Sequence, residues 1–271
     1  MAITDYSTFK QMQEYPDFKV GVSKLMISFA VGTLGSLWTA NPFGGAVPTT
    51  AAALTNSTTG AMNGFMNGGS NPLRLVRMNF GYYISATLML IDRLSHQGGL
   101  NATVTTPQTT NLPTAALTRY TSGEGVWIGL QIYTIIGTTA TTVSVSYTNS
   151  AGTPGRTSPL QVFGGTGNRE AGKIIPICLQ EGDTGVESVE SVTVTATTGT
   201  AGAFGVVLFK PLMMIPVTQQ GAQIERLDPL LNGGANLPEI VDNSCLDWVI
   251  FSGATGSGGA LHADVRFAED R

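Results

Sequence analysis

Charge is what this chain lacks. Asp, Glu, Lys and Arg make up 12% of its 271 residues, against about 25% in an ordinary soluble domain. Leu25 to Leu73 contains none of them, and uncharged tracts recur at Leu94–Thr118, Gly125–Gly155, Ser191–Phe209 and Trp248–Ala263. The five lysines (Lys10, Lys19, Lys24, Lys173, Lys210) are scattered and the net charge is −4. That excludes a basic stripe of the kind that coats nucleic acid. Two histidines, His96 and His262, exclude a histidine-rich metal site. Two cysteines, Cys178 and Cys245, are too few for a disulfide framework. Gly, Thr, Asn, Ser and Pro run through the uncharged tracts. The apolar run Leu25–Leu37 falls short of the ~20 residues a membrane helix needs, so no membrane partner is expected. Asp5, Glu14 and Asp17 precede any apolar run, which is unlike a secretory leader. The expected place of synthesis and residence is the cytosol of the producing cell.

In place of charge the chain carries Thr, Gly and Ala. Charged side chains keep free proteins soluble and apart. A chain that omits them reads as one packed against copies of itself or other proteins, as in a structural assembly.

Residues 5–15 and 17–31 have helical character. Phe18, Val22, Leu25, Met26 and Phe29 recur at intervals of three and four, one amphipathic stripe. Pro16 separates the two pieces or starts the second. Residues 39–73 read as a loop or extended arm punctuated by Asn41-Pro42, Gly44-Gly45, Asn67-Gly68-Gly69 and Asn71-Pro72. Its centre, Thr50–Met66, is rich enough in small residues for a weak helix. An ordered arm of this composition needs a partner to lie on.

From Leu73 the period changes to two. Leu75–Ile91, Val126–Ile136, Thr141–Thr148, Ile174–Leu179, Val186–Thr197, Ala203–Phe209, Asp247–Ser252 and Leu261–Phe267 read as strands. Val143, Val145 and Tyr147 alternate with Thr142, Ser144, Ser146 and Thr148, giving one apolar and one hydroxyl face. Ala203–Phe209 is almost wholly apolar and is expected at the centre of a sheet. The predicted fold is mainly β: an antiparallel β-sandwich, jelly-roll-like, with an N-terminal helical segment and an extended arm. The expected division is 1–72, the helix and charge-free arm, and 73–271, the sandwich. Residues 1–72 are expected to give no strand to its central sheets.

A search for chemistry finds few constellations. His96, in Asp92-Arg-Leu-Ser-His96, reads either as a general base oriented by Asp92 or as a loop histidine bonded to turn backbone. Cys245, Asp247 and His262 have the residue types of a thiol triad, without any signature of one around them. Cys178, in Ile174–Leu179, reads as a buried small hydrophobe in a strand. A Cys178–Cys245 disulfide requires neighbouring strands. Gly164–Gly167 has no βαβ unit around it and reads as a turn. Glu181 and Asp183 are two oxygen donors where Ca²⁺ needs six or more, so a turn cap is the simpler reading. Asn56-Ser-Thr58 and Asn101-Ala-Thr103 match a glycosylation triplet in a Thr-rich chain without an export signal. Trp38, Trp127 and Trp248 sit in apolar runs and are expected in the core. No residue is expected to be catalytic, and no metal or cofactor is expected.

Glu181–Pro216, together with Asp92-Arg-Leu-Ser-His-Gln-Gly-Gly-Leu100 and Gly164-Gly-Thr-Gly-Asn-Arg169, resembles virion proteins of tailed bacteriophages. The resemblance spans residues 80–216 and lies in texture and turn pattern, with no motif that carries functional residues. It implies a β-sandwich associated with the capsid: a decoration protein, a minor head protein, or a spike or fibre base. The implied location is the virion, and the implied partners are further copies of the chain, the major capsid protein or other virion proteins. A tail or vertex protein that binds a host-surface receptor is the alternative. A glycan-cleaving enzyme would need paired carboxylates at a cleft. The acidic residues instead crowd the Glu181–Glu190 turn region and the C-terminal Glu269-Asp270-Arg271.

Overall fold

A computed structural model describes residues 18–25, 32–42, 44–62, 73–82, 85–217, 223–227, 237–253 and 260–269. Among them there is no α-helix, only a short 3-10 turn at Leu112–Thr114, and every strand pairing is antiparallel.

The largest sheet has seven strands. Six run in the order β11 (Ile174–Ile177), β7 (Trp127–Thr134), β13 (Ala203–Val217), β5 (Ala86–Leu100), β16 (Leu246–Ser252) and β2 (Leu34–Ser36). β3 (Ala52–Ala53) adds to β5 at Ser95 and His96. The sheet curls until its ends meet. Gly35 bridges Lys173, and the Ser36 N–H donates to Gly172 O at 2.8 Å. The result is a barrel-like ring whose inner face alternates with its outer one. Leu34, Met89, Ile91, Ile174, Val207, Phe209 and Val249 cluster on the inside. The expected central place of Ala203–Phe209 is realised: β13 lies between β7 and β5 and is the spine of the ring.

Two smaller sheets pack on the outside. One joins β1 (Phe18–Leu25), β17 (Ala260–Glu269), β4 (Leu73–Tyr82) and β14 (Gln223–Leu227), with β15 (Glu239–Ile240) beside β4. Its Leu75, Phe80, Val265 and Phe267 meet Leu88, Leu90, Trp248 and Ile250 of the ring. The other joins β10 (Gln161–Phe163), β8 (Thr141–Asn149), β12 (Val186–Val194) and β6 (Gln108–Thr109), with β9 (Arg156–Thr157) beside β8. Its Val143, Val145, Tyr147, Val189, Val192 and Val194 are fully buried against Ile128, Leu130, Phe204 and Val206. The antiparallel sandwich is thus present, made twice from one shared ring.

Two expectations fail at the N-terminus. The helical stripe over 17–31 is a strand where it is described, for β1 pairs along its whole length with β17. Phe18, Val20 and Val22 also alternate with Lys19, Gly21 and Ser23. That two-residue period, with β-branched valines, competes with the helical one and prevails once β17 offers a partner edge. Met26, Phe29 and residues 5–15 lie outside the described residues. Second, residues 1–72 do give strands to the sheets: β1 to a small sheet, β2 and β3 to the ring. The arm's partner is the chain's own barrel.

Close packing of the spine demands a glycine at 205. The β13–β5 register shifts between Phe204 and Val206, and a Cβ on Gly205 would overlap Gln97 O and come within 2.6 Å of Gly98 Cα. These are backbone atoms of β5, which cannot yield as a side chain would. Gly205→Ala is therefore expected to cost about 2–3 kcal/mol, read as a lower urea midpoint with an unchanged m-value.

Candidate functional site

Past Asp92 the strand β5 leaves β16 and pairs with β3 instead. At that transition the ring's interior turns from apolar to polar. Arg93 is wholly buried, and its Nη2 donates to Gln131 Oε1 at 2.7 Å and to Tyr133 Oη at 3.1 Å. Its Nη1 lies 3.6 Å from Asp247 Oδ2, and its guanidinium sits 4.4 Å above the Trp38 ring. The five groups arrive from four places in the fold: Arg93 on β5, Gln131 and Tyr133 on β7, Asp247 on β16, and Trp38 just past β2. Alternation explains the meeting. Gln131 pairs with the inward Ile174, and Asp247 lies two residues before the inward Val249.

A second buried pair stands beside it. Arg119 grips Asp92 through two bonds of 2.8 Å, Nε to Oδ2 and Nη2 to Oδ1. Its remaining donors reach Leu54 O at 2.9 Å and Arg93 O at 3.3 Å. Asp92 Oδ1 also accepts the Cys245 N–H at 2.8 Å. Lys24, at the end of β1, is 3% exposed; its Nζ donates to Leu37 O and Gly60 O and lies 3.9 Å from Asp247 Oδ1.

These contacts have a common target. Leu37, Trp38, Leu54 and Gly60 all lie in the charge-free stretch Leu25–Leu73, the arm and the residues leading into it. Having no charges, the arm contributes carbonyl oxygens and an aromatic face, and the cations come from β1, β5 and Arg119. Gly45 lies so close on Trp38 that a Cβ there would overlap the indole, and Trp38 Nε1 donates to Ala46 O at 3.1 Å. The site is an anchor that straps residues 37–60 onto the ring.

His96 faces this anchor and not a loop, because β5 runs on to Leu100. Its ring meets Trp38 edge-on at 5.7 Å, and Nδ1 is 3.5 Å from Arg93 Nη2. Burial, aided by the Arg93 charge, pushes its pKa down to about 3. Asp92 is engaged by Arg119 and does not orient it. A buried imidazole that stays neutral far below pH 7 is poorly matched to general base work. The Cys245–Asp247–His262 constellation is not assembled: Cys245 and Asp247 are buried in the ring, while His262 is exposed on β17, paired with Ser23 and Gly81. Burial, with Asp247 nearby, pushes the Cys245 thiol up to about 12, so it is not a ready nucleophile. Both cysteines are free, and Cys178 is exposed just beyond β11, contrary to the buried reading. Trp38 and Trp248 are in the core as expected; Trp127 is 41% exposed.

Asp183 caps its neighbours more than its own turn. It accepts from Tyr147 Oη at 2.5 Å, Asn149 Nδ2 at 2.7 Å and Arg156 Nε at 3.0 Å. Those hydrogen bonds, from Tyr147 first and then Arg156, hold its pKa at about 2. Glu181 takes no part among these bonds. Asn101 closes a turn by accepting from Thr103, and Asn56 is buried. Gly164, Gly165 and Gly167 all have positive φ, as a turn requires.

Sequence reasoning weighed Asp92, His96, Cys245 and Asp247 but missed Lys24, Trp38, Arg93, Arg119, Gln131 and Tyr133. A usable signal existed: Arg119 stands as an isolated charge after the uncharged tract Leu94–Thr118. In a chain this poor in charge, an isolated ion has reason to be spoken for internally.

No protein-family model matches the chain, and no curated protein matches it. Among solved structures, the infectious bursal disease virus VP2 subviral particle aligns over 97% of this chain and 86% of that one, at 10% identity and a TM-score of 0.20. The T=1 particles derived from infectious bursal virus align over 94% and 79%, at 10% identity and a TM-score of 0.18. Both neighbours are viral particles; superpositions this poor do not establish a shared fold.

Removing one partner of a buried pair strands the other charge. Arg119→Met is expected to cost about 3–5 kcal/mol and to expose the arm near Leu54 to limited proteolysis before the sandwich unfolds. Equal resistance in the variant and the parent would show that Arg119 is no anchor. His96 gives a pH signature. Its folded pKa is depressed, so its contribution is complete above the ordinary 6.5 and is lost as pH falls toward about 3. Across that window it adds at most about 1.4 kcal/mol of destabilisation per pH unit. His96→Gln should flatten the slope of unfolding free energy between pH 6.5 and 3.8, above the range of 3.8 to about 2 in which Asp183 titrates.

Proposed function

We propose that this chain is a structural component of a bacteriophage virion, packing on or within the capsid as a decoration or minor capsid protein. One observation carries the reading. The chain has 14 basic and 18 acidic residues, and among the described ones six are buried: Lys24, Asp92, Arg93, Arg119, Lys173 and Asp247. A chain already poor in charge commits part of what it has to its interior, which leaves few ions for its outer surface. Thr142, Ser144, Ser146 and Thr148 of β8 give a hydroxyl face that is half-buried already and can be covered by a neighbour without stranding an ion.

Further copies of the chain and the major capsid protein are the partners this surface suits. The buried anchor suits a holding role better than a catalytic one: its ionisable groups are spent on one another and on arm carbonyls. The second reading, a tail or vertex protein that binds a host receptor, draws on the exposed Trp127.

Incubation of the purified chain with particles lacking it, followed by sedimentation, tests the proposal. Binding in many copies per particle is the expected result; binding in few copies would favour the vertex reading, and no binding would overturn both. Val145 is fully buried against the ring, so Val145→Lys should abolish incorporation by burying an unpaired charge. His96→Ala should be incorporated at the parent's occupancy.

A further inference from the structure

We propose that the open end of the barrel is a socket for a second copy of this chain, filled by the protruding residues Leu160 and Val162. The inference rests on the assembly reading above and gives it a specific contact. The socket is a groove of about 420 Å³ lined by Leu34, Met89, Trp127, Ile174, Met214 and Phe251, one residue from each of the six strands of the ring. Leu34, Met89 and Ile174 also belong to the interior cluster, so the groove continues the barrel's apolar core to the surface. Trp127, Met214 and Phe251 are 41%, 52% and 47% exposed. No lining residue carries a charge.

The complementary feature is on β10. Leu160 and Val162 are 59% and 58% exposed, the highest values among the large apolar side chains described. Two residues apart on an extended segment, they project to one side, while Phe163 turns into the core. β10 pairs with β8 alone among the described strands, so its other edge is open. Pro159-Leu160-Gln161-Val162 has no charge either.

A neutral hole and a neutral protrusion match in the electrostatic sense that matters here: neither strands an ion when covered. A charged partner segment would lose its hydration in the groove and find no counter-charge. Paired aliphatic side chains suit a concave apolar site, where a flat surface would leave it unfilled. The two features lie on different sheets, so each copy has both a protrusion to offer and a socket to fill. Two copies that exchange protrusions reciprocally form a closed pair, and copies that pass them on form rings or arrays.

The test is sedimentation of the full chain over a concentration series, with Met214→Lys as the socket variant and Val162→Glu as the protrusion variant. Both side chains are exposed, so both variants should keep the parent's thermal unfolding. Each alone should self-associate more than about a hundredfold more weakly. Mixed together they should form a one-to-one complex, because the protrusion variant keeps an intact socket and the socket variant an intact protrusion. Undiminished assembly by either variant, or a mixture that stays monomeric, overturns the proposal. So does a parent chain that joins particles but never self-associates, and that outcome leaves the virion role standing. A parent that neither joins particles nor self-associates overturns both.

Discussion

The buried pairing of Arg119 with Asp92, and of Arg93 and Lys24 with Asp247, is the constraint on which the rest depends. A carbonyl removed from water must find a donor, and an uncharged arm has no side-chain cation with which to supply one. Lys24 and Arg119 bring ammonium and guanidinium groups to Leu37 O, Gly60 O and Leu54 O. Those cations are buried in turn, which is costly unless they are balanced. Asp92 and Asp247 balance them from neighbouring strands. The arm, β1, β5 and β16 are therefore held by one interlocked set of charges.

That set also explains how the ring closes. β2 lies on β16 through three residue pairs and meets the segment before β11 through the Gly35–Lys173 bridge. So short a strand has little pairing energy of its own. Directly after it come Leu37, whose carbonyl Lys24 holds, and Trp38, pinned over Arg93. The anchor fixes the strand's end, the strand joins the edges of the sheet, and the closed sheet gives both outer sheets a curved surface to pack on. The apolar half of the interior and the polar half do different work: Met89, Ile91, Phe209 and Val249 fill space, while Arg93 and Asp247 specify which segment lies where.

The longer strands of the outer sheets from Leu73 onward were legible because one face of each is buried against the ring, and burial on one face writes itself as alternation. Thr141–Asn149 is the clearest instance. Ala203–Phe209, buried on both faces, was legible as an apolar run, and the short β6, β9, β10, β14 and β15 were not read. The helical reading of residues 17–31 failed because Phe18, Val22 and Leu25 satisfy two periods at once, and only the edge of β17, far off in sequence, decides between them. Asp92–Gln97 was read as a loop for a related reason. Polarity in a sequence is taken for solvent, yet inside a closed ring both faces of a strand are buried, and a polar residue marks a polar partner instead. The partners, Gln131, Tyr133 and Asp247, lie 38, 40 and 154 positions from Arg93 along the chain, beyond the reach of any local pattern. The anchor was thus half visible: its acids were noticed as candidate chemistry, and the bases that neutralise them were not.

A surface poor in charge has a consequence for assembly. Electrostatic complementarity steers partners together and fixes their orientation, and like charges reject wrong ones. Where a contact patch is neutral, as the groove and the β10 protrusion are, orientation has to come from shape, and shape is informative only if it is rigid. The placement of charge answers that need. Ions buried in the ring tie arm and strands into fixed positions, so the groove at its open end and the protrusion on β10 keep their forms. Hydroxyl faces and apolar features remain outside, where a neighbour can cover them without paying to desolvate an ion. Interior ions and a charge-poor exterior are two sides of one arrangement: part of the charge that would have kept copies apart serves to make each copy a stiff part.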